Sequence, residues 1–168
     1  DINKLYFTVY AGDQVTINKW ISLGVPSDHL IPLEGNFWEI GEGPCGPDTE
    51  IFYDTGKEKC SDKCDPSCGC GKYVEIWNNV FMEYFKNSDG TYSKLKQKNV
   101  DTGLGLERMA MLLQGKKTPF EIELFAPVMD KLEELQKVDN ISSRRIVAEH
   151  LRSSMMIIQD GGRPSNVD

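Results

Sequence analysis

Four residues between positions 101 and 108 have the chemistry of a binding site for a small charged ligand. Asp101 supplies a carboxylate at the predicted end of a strand, and Gly103 and Gly105 allow backbone to approach a ligand closely. Arg108 would project from the first turn of the helix that follows. The same stretch could instead be a glycine-rich turn before an amphipathic helix, with its charges merely solvated. It is not a dinucleotide fingerprint, because Arg108 stands where the third glycine would be.

Four cysteines form a second candidate site. Cys60, Cys64, Cys68 and Cys70 fall within eleven residues, which is compact enough to surround one tetrahedral ion. We predict a structural Zn²⁺ here, since four thiolates leave no open coordination position. A disulfide pair or idle reduced thiols are the alternatives, and the spacing departs from the common Cys-x-x-Cys knuckle. Cys45 is expected to be a lone buried thiol.

The elements that would position these residues follow from the pattern of apolar side chains. Residues 5–10 are β-branched and aromatic and predict a strand, and Asp13 is expected to cap a helix that stops at 24–26. Two Gly-Pro pairs predict a shaped loop within 36–53, leading into a strand over 50–53. The site residues would therefore follow a short strand, a helix and a loop.

Beyond residue 73, the spacing of the apolar side chains is first that of strands and then, from residue 106, that of helices. Residues 73–85 predict a long, mostly buried strand, and the turn signal at 87–90 makes it an antiparallel hairpin with 91–95. Asn78 and Val80 share one face of this strand. Three helices are predicted after it, over 106–114, 120–135 and 143–158, the last behind a cap-like stretch at 140–143.

Composition limits the class of protein. A chain of 168 residues with 39% hydrophobic residues can bury one moderate core. No apolar run reaches the roughly 18 residues of a membrane span and no basic-then-apolar leader opens the chain, so no membrane association is expected. The net charge of −7 argues against a protein that coats nucleic acid by charge alone, and no DNA partner is expected.

Three blocks of sequence, at 36–54, 74–85 and 101–108, resemble the aminoacylation domain of the alanyl-tRNA synthetases, which are class II aminoacyl-tRNA ligases. The third block is similar to the third signature motif of that class. The resemblance continues through 148–152 and 160–166, and residues 56–71 are the least family-like stretch. It implies an α+β fold, namely part of a class II antiparallel sheet with flanking helices, followed by the start of a helical tRNA-recognition domain.

The resemblance also implies domain boundaries and a parent protein. Residues 1–118 would be the C-terminal part of the catalytic domain, with a Cys-rich insertion at 56–71, and residues 119–168 would begin the helical domain. No segment before Asn36 supplies the first two class II motifs. We therefore expect a fragment that depends on the rest of a parent synthetase chain, is inactive alone and is cytoplasmic.

The implied chemistry is activation of L-alanine by ATP and transfer of alanine to the 3′ end of tRNA(Ala). Asp101 would hold the ammonium group of alanine by a charge-assisted hydrogen bond, and Asn78 would bond its carboxylate. Trp38 and Val80 would wall the side-chain pocket, and Gly103 would form its floor. Such a pocket discriminates one methylene by only ~1–3 kcal/mol, so editing would reside elsewhere.

The remaining implied roles concern nucleotides. Arg108 would lie against adenine and reach the triphosphate, with Gly105 beside it, and Mg²⁺ would accompany ATP and be held mostly by its phosphates. Asn166 matches a position associated with the acceptor stem of the tRNA. Basic residues also cluster at 94–98 and 144–163.

Two other classes of protein stay open at this point. One is a non-catalytic synthetase-like module kept for RNA or protein binding. The other is a zinc-stabilised binding domain with an accidental resemblance. The joint presence of Asp101, Asn78, Gly103 and Arg108 speaks against the first, and the second predicts metal-dependent folding without affinity for an alanyl-adenylate analogue.

Overall fold

A mixed sheet of six strands is the main feature of residues 1–165, the part of the chain that this computed structural model describes. The order is β2-β1-β4-β5-β6, and β3 pairs with β4 beside this path. β1 and β2 are parallel and the other pairs are antiparallel. The strands are β1 (Leu5–Tyr10), β2 (Leu30–Leu33), β3 (Phe37–Trp38), β4 (Gly43–Asp54), β5 (Tyr73–Lys86) and β6 (Tyr92–Leu104). The predicted α+β class is confirmed.

Helix α1 (Gln14–Ser22) packs on one face of the sheet. Asp13 caps it as predicted, because the Oδ1 atom accepts a hydrogen bond of 3.0 Å from the Thr16 backbone N–H. The Trp20 indole donates to the Thr49 hydroxyl at 2.9 Å and so ties the helix to β4. The core beneath the helix contains Phe7, Val9, Val25 and Leu30, with Leu5, Ile17, Trp20 and Ile51 packed against it.

The predicted loop over 36–53 is wrong, because β4 already begins at Gly43 and runs through both Gly-Pro pairs. Pro47 lies where the register of the ladder shifts, between Cys45 and Asp48, whereas Pro44 remains paired with Phe85. A Cβ added to Gly46 would lie 1.9 Å from the carbonyl oxygen of Phe81, so only glycine fits there. These residues shape an irregular strand.

The predicted hairpin is confirmed and is longer than expected. The Asn87 N–H donates to the Thr91 carbonyl at 2.8 Å, and Gly90 has φ +83°, which suits glycine in a tight turn. After this turn β6 continues to Leu104. Asp101 therefore lies inside a strand, where its side chain has a fixed face, and does not end the strand as predicted.

The helices are α2 (Leu106–Leu113), α3 (Ala126–Leu135) and α4 (Ile141–Gln159), with single 3-10 turns at Ile2–Lys4, Ser27–His29 and Pro119–Glu121. The prediction of one helix over 120–135 is wrong. Pro127 in the first turn of α3 lacks an N–H and would clash with an earlier carbonyl inside a longer helix. Asn140 caps α4, since the side chain accepts from the Ser143 N–H at 3.0 Å.

The chain divides into two compact units, Asp1–Met109 and a second unit from Ala110 onward. The first contains the sheet and α1. The second has a small core of its own, built from Met111, Ile122, Phe125, Met129 and Ala148. Among the helices of residues 1–165, none combines the length and the apolar character that a membrane crossing requires.

Candidate active site

Strand register brings together four of the residues that the sequence singled out. Val80 on β5 faces Asp101 on β6, and Asn78 faces Gly103. Side chains of directly opposed residues project from the same face of a sheet, so these four residues share one surface. That surface is opposite to the one covered by α1, because Trp77, which faces Ile51, alternates with Asn78.

Two carboxylates that the sequence analysis missed complete this surface. Asp48 on β4 faces Val80, and Glu50 faces Asn78. The surface is thus a grid of two rows across three strands: Asp48, Val80 and Asp101 in one, Glu50, Asn78 and Gly103 in the other. We call this set the strand site.

Asp48 is the most deeply buried charged member of the strand site, with 6% of its surface exposed. Its Oδ2 accepts a hydrogen bond of 3.0 Å from Nδ2 of Asn78, and its backbone N–H donates to the Asn36 carbonyl at 2.9 Å. The Oδ1 atoms of Asp48 and Asn78 are both buried and have no hydrogen-bond partner among the described residues. A buried acceptor without a donor costs about 1–3 kcal/mol, so this site is suited to a ligand that brings donors.

Glu50 is held by neighbours that satisfy it. Thr8 donates its hydroxyl to Glu50 Oε2 at 2.9 Å, and Asn36 donates to the Thr8 hydroxyl at 2.9 Å and to the same carboxylate at 3.3 Å. Burial raises the pKa of both Glu50 and Asp48, and the nearby charge of Glu75 adds to the effect. Hydrogen bonds from their neighbours oppose these pKa shifts in part.

Asp101 and Gly103 form the open edge of the strand site. Asp101 is exposed to solvent. A Cβ built on Gly103 would meet no atom within 4 Å, so the space over the Asn78 row is free. Val80, only 6% exposed, is the apolar surface between the two aspartates. A small group with a polar end and an apolar end would find matching neighbours here.

Arg108 stands beside the grid on the first turn of α2. Its Nη1 atom donates to the carboxylate and to the backbone carbonyl of Glu75, each at 3.0 Å. Its side chain is 48% exposed, so one face of the guanidinium stays accessible. Gly105 accepts the first hydrogen bond of the helix from Met109, and a Cβ there would crowd the Arg108 stem at 3.1 Å.

Trp38 lies on β3, half-buried, opposite Gly46. Gly46 precedes Asp48 by two residues, so the backbone of Trp38 lies near the β4 end of the strand site. Sequence reasoning missed Asp48, Glu50 and Asn36, although a signal was present. Asp48 and Glu50 alternate across Thr49, as residues on one face of a strand do, but the interpretation of 36–53 as mostly loop hid this alternation.

The four cysteines of the insertion converge in space. Their sulfur atoms all lie within 4.8 Å of one another, with 3.3 Å between Cys60 and Cys68 and 3.6 Å between Cys64 and Cys70. Tetrahedral zinc with bonds of about 2.3 Å separates its sulfur ligands by about 3.8 Å, so the donors fit this ion. Cys45 is separate from them, fully buried in β4, as expected.

The protonation of the thiols is uneven. A hydrogen bond from the Lys72 backbone lowers the pKa of Cys70 to about 7, and the other thiols assist. Hydrogen bonds to Cys68, Cys64 and Cys70 raise the pKa of Cys60 to about 12. Because the first proton is lost near neutral pH, a metal ion has one thiolate ready to bind.

The base of the insertion is closed by an ion pair. The Lys72 ammonium lies 2.8 Å from Asp54 Oδ1 and donates to the Lys57 carbonyl at 2.8 Å. The Thr55 N–H donates to the Lys72 carbonyl, also at 2.8 Å. Residues 55–72 therefore leave the sheet and return to it at one point, between the end of β4 and the start of β5.

The predicted RNA contacts belong to the end of the chain. Asn166 lies outside the described residues. Arg144 lies 2.9 Å from Glu133 and 3.1 Å from Asp139, and its side chain is 12% exposed. Arg145 sits 5.5 Å over the ring of Phe120. Arg144 thus holds α4 against its surroundings in this unit and is less available to RNA than the sequence suggested.

Comparison with known proteins adds an independent line of evidence. The family model described as tRNA synthetases class II (A) matches residues 1–168. The alanine-tRNA ligase of Borrelia hermsii is 48% identical over 183 aligned residues, covering 98% of this chain and 31% of that protein. The alanine-tRNA ligase of Treponema denticola is also 48% identical, with 99% and 31% covered. That of Lactobacillus acidophilus is 43% identical, with 97% and 20% covered.

The chain thus spans less than a third of the length of the relatives cited here, while the match extends along almost all of its own length. The family match covers the whole chain and therefore includes the strand site and Arg108. On this evidence, the chain belongs to the family of class II (A) tRNA synthetases.

Proposed function

We propose that this chain is part of an alanine-tRNA ligase, which activates L-alanine with ATP and transfers it to tRNA(Ala). The observation that supports this function most is the strand site, a carboxylate-lined surface with one small apolar patch at Val80. The names of the relatives supply the amino acid, and the carboxylates and the apolar Val80 of the strand site have the polarity that alanine requires.

Each residue of the strand site has a task in this proposal. Asp101 binds the ammonium group of alanine, and the second N–H of the Asn78 amide, left over from its bond to Asp48, binds the carboxylate. Val80 contacts the methyl group, with Trp38 closing the pocket from β3. Gly103 leaves room for the substrate, because any side chain there would occupy the open space above the sheet.

The nucleotide is assigned to Arg108. Its guanidinium is held by Glu75 at 3.0 Å and keeps a free face for adenine or the triphosphate. Gly105 keeps the stem of Arg108 unhindered at the start of α2. Mg²⁺ would arrive with ATP, bound mainly by its phosphates. The arginine that neutralises the α-phosphate, together with the first two class II motifs, is assigned to the rest of a longer parent chain.

The four-cysteine cluster is proposed to hold structural zinc. Four thiolates complete a tetrahedral shell, so no position stays open for substrate. The ion would order residues 55–72 and leave the chemistry to the strand site. Asn166 is proposed to contact the acceptor stem of tRNA(Ala), and the enzyme is proposed to act in the cytoplasm, where translation takes place.

Alanine-dependent exchange between ATP and pyrophosphate tests this function in the full-length protein. We expect exchange with alanine, weaker exchange with glycine and serine, and none with valine, whose side chain cannot fit over Val80. Transfer of alanine to tRNA(Ala) should follow. Absence of alanine-dependent exchange in an intact, folded protein would overturn the proposal and favour a non-catalytic, zinc-stabilised binding module.

A further inference from the structure

The strand site contains more acceptor atoms than the proposed roles use. Asp48 Oδ1 and Asn78 Oδ1 are buried and have no donor among the described residues, and Asp48 itself is more than nine-tenths buried. Both residues are on the same face as Asp101, since Val80 pairs with Asp48 on one side and with Asp101 on the other. Two unpartnered acceptors on the face of a carboxylate require a ligand with several donors on one atom.

An ammonium group is such a ligand, because it carries three N–H donors and no acceptor. Neighbouring strands lie about 4.8 Å apart, so the backbones of Asp48 and Asp101 are roughly 10 Å apart across Val80. An ammonium nitrogen above Val80 can then bond an oxygen on each side at about 2.8 Å. The third N–H is left for Asn78.

We propose that Asp48 is a second amino-acid-binding carboxylate, which together with Asn78 Oδ1 and Asp101 completes a three-acceptor seat for the ammonium group of the substrate. This inference rests on the proposed function and assigns Asp48 a role in it. The bond from Asn78 Nδ2 to Asp48 Oδ2 sets the orientation of the amide. One amide N–H is then left for the substrate carboxylate, while Oδ1 turns to the ammonium.

The chemistry of Asp48 agrees with this role. Burial raises the pKa of the carboxyl group, so the empty site disfavours its negative charge. A cationic group placed beside it would offset that penalty. Asn78 donates to Oδ2 of Asp48 and leaves the buried Oδ1 without a donor among the described residues, whereas Thr8 and Asn36 both donate to Oε2 of Glu50.

The test uses the full-length protein and two probes that separate the ends of alanine. Alaninol keeps the ammonium group and lacks the carboxylate, whereas lactate keeps the carboxylate and lacks the ammonium. Each is measured as an inhibitor of alanine-dependent exchange in the wild type, in Asp48→Asn and in Glu34→Gln, an exposed carboxylate that serves as the matched control.

We expect Asp48→Asn to raise the inhibition constant of alaninol and the KM for alanine at least tenfold, with lactate and the KM for ATP changed less than twofold. Equal weakening of both probes would overturn the inference, because it indicates general damage. No change in either probe would also overturn it, because the buried acceptors then serve another part of the protein.

Asn78→Asp is the second variant and keeps the test valid if Asp48→Asn does not fold. It retains an acceptor toward the ammonium but loses both amide N–H donors, the one toward the substrate carboxylate and the one toward Asp48 Oδ2, so lactate should weaken more than alaninol. The opposite order would contradict the proposed seat. A wild-type protein without alanine-dependent exchange would instead refute the function itself, which keeps the two failures distinct.

Discussion

The strand site and the cysteine cluster are built in opposite ways. The strand site draws residues from three strands, and Asp48 and Asp101 are far apart in sequence; hydrogen-bonded ladders hold them in place. The cysteine cluster draws all four of its thiols from eleven consecutive residues and has little regular structure around it. A ladder can hold a site without a ligand, whereas a short loop needs an ion to define its shape. The two sites should therefore respond differently to mutation, metal removal and pH.

The largest effect is expected from Asp101→Ala in the full-length protein. Loss of a charge-assisted bond to the ammonium should reduce alanine-dependent exchange by about a thousandfold, equivalent to roughly 4 kcal/mol. Asp89→Asn, in the exposed hairpin turn, is the control and should keep wild-type exchange. A loss smaller than tenfold would mean that Asp101 does not contact the substrate. Zinc content should be unchanged in either variant.

Gly103→Ala should have the next largest effect, because one methyl group would enter the space above the sheet. Overpacking by a methyl costs about 1–3 kcal/mol, which corresponds to a rise in the KM for alanine of roughly 5-fold to 150-fold. The KM for ATP should stay constant. Gly35→Ala is a matched control, since its added Cβ also meets open space. Equal KM values in the two variants would place alanine elsewhere.

Cys64→Ser should separate the two sites most clearly. Removing one of four ligands should weaken zinc binding by about a hundredfold, given that four ligands together contribute roughly 10–16 kcal/mol. Metal content measured by mass spectrometry should fall, and amide hydrogen exchange should accelerate across residues 55–72. The rate of alanine-dependent exchange between ATP and pyrophosphate should change less than about threefold, because the ladder of β4 to β6 is intact. The control variant Cys45→Ser, which changes a thiol outside the cluster, should keep its zinc. Loss of exchange activity in Cys64→Ser would contradict the independence of the two sites.

The smallest effect is a pH dependence of stability that comes from the strand site. Burial raises the pKa of Glu50 above its ordinary 4.5, so the folded state binds this proton more tightly than the unfolded state. The free energy of unfolding should therefore fall as pH rises from 4.5 through the folded pKa. Glu50→Gln keeps an acceptor for Thr8 and should reduce this slope without abolishing it, because burial raises the pKa of Asp48 as well. Urea unfolding at several pH values measures it, and identical slopes would contradict the buried carboxylate.

The difference between a site built from three strands and one built from a short stretch of sequence also explains how far each could be predicted. The cysteine cluster depends on local spacing, so the sequence sufficed to predict that its four thiols come together. Asp101, Asn78, Val80 and Gly103 were found through the resemblance and through alternation on one strand. Asp48 and Glu50 were missed because their position depends on β4 being a strand through its Gly-Pro pairs, which local rules assign to a loop. Register between distant strands is set by tertiary packing and has no local signature.

The return of the insertion to its starting point has a consequence for how this fold can vary. Asp54 and Tyr73 are cross-strand partners, so β4 and β5 are already adjacent when the chain leaves the sheet. A tight two-residue turn could join the strands there and keep the register of every pair beyond it. Residues 55–72 are therefore a replaceable segment: a gene could lose, lengthen or exchange them in one step while the strand site stays as it is.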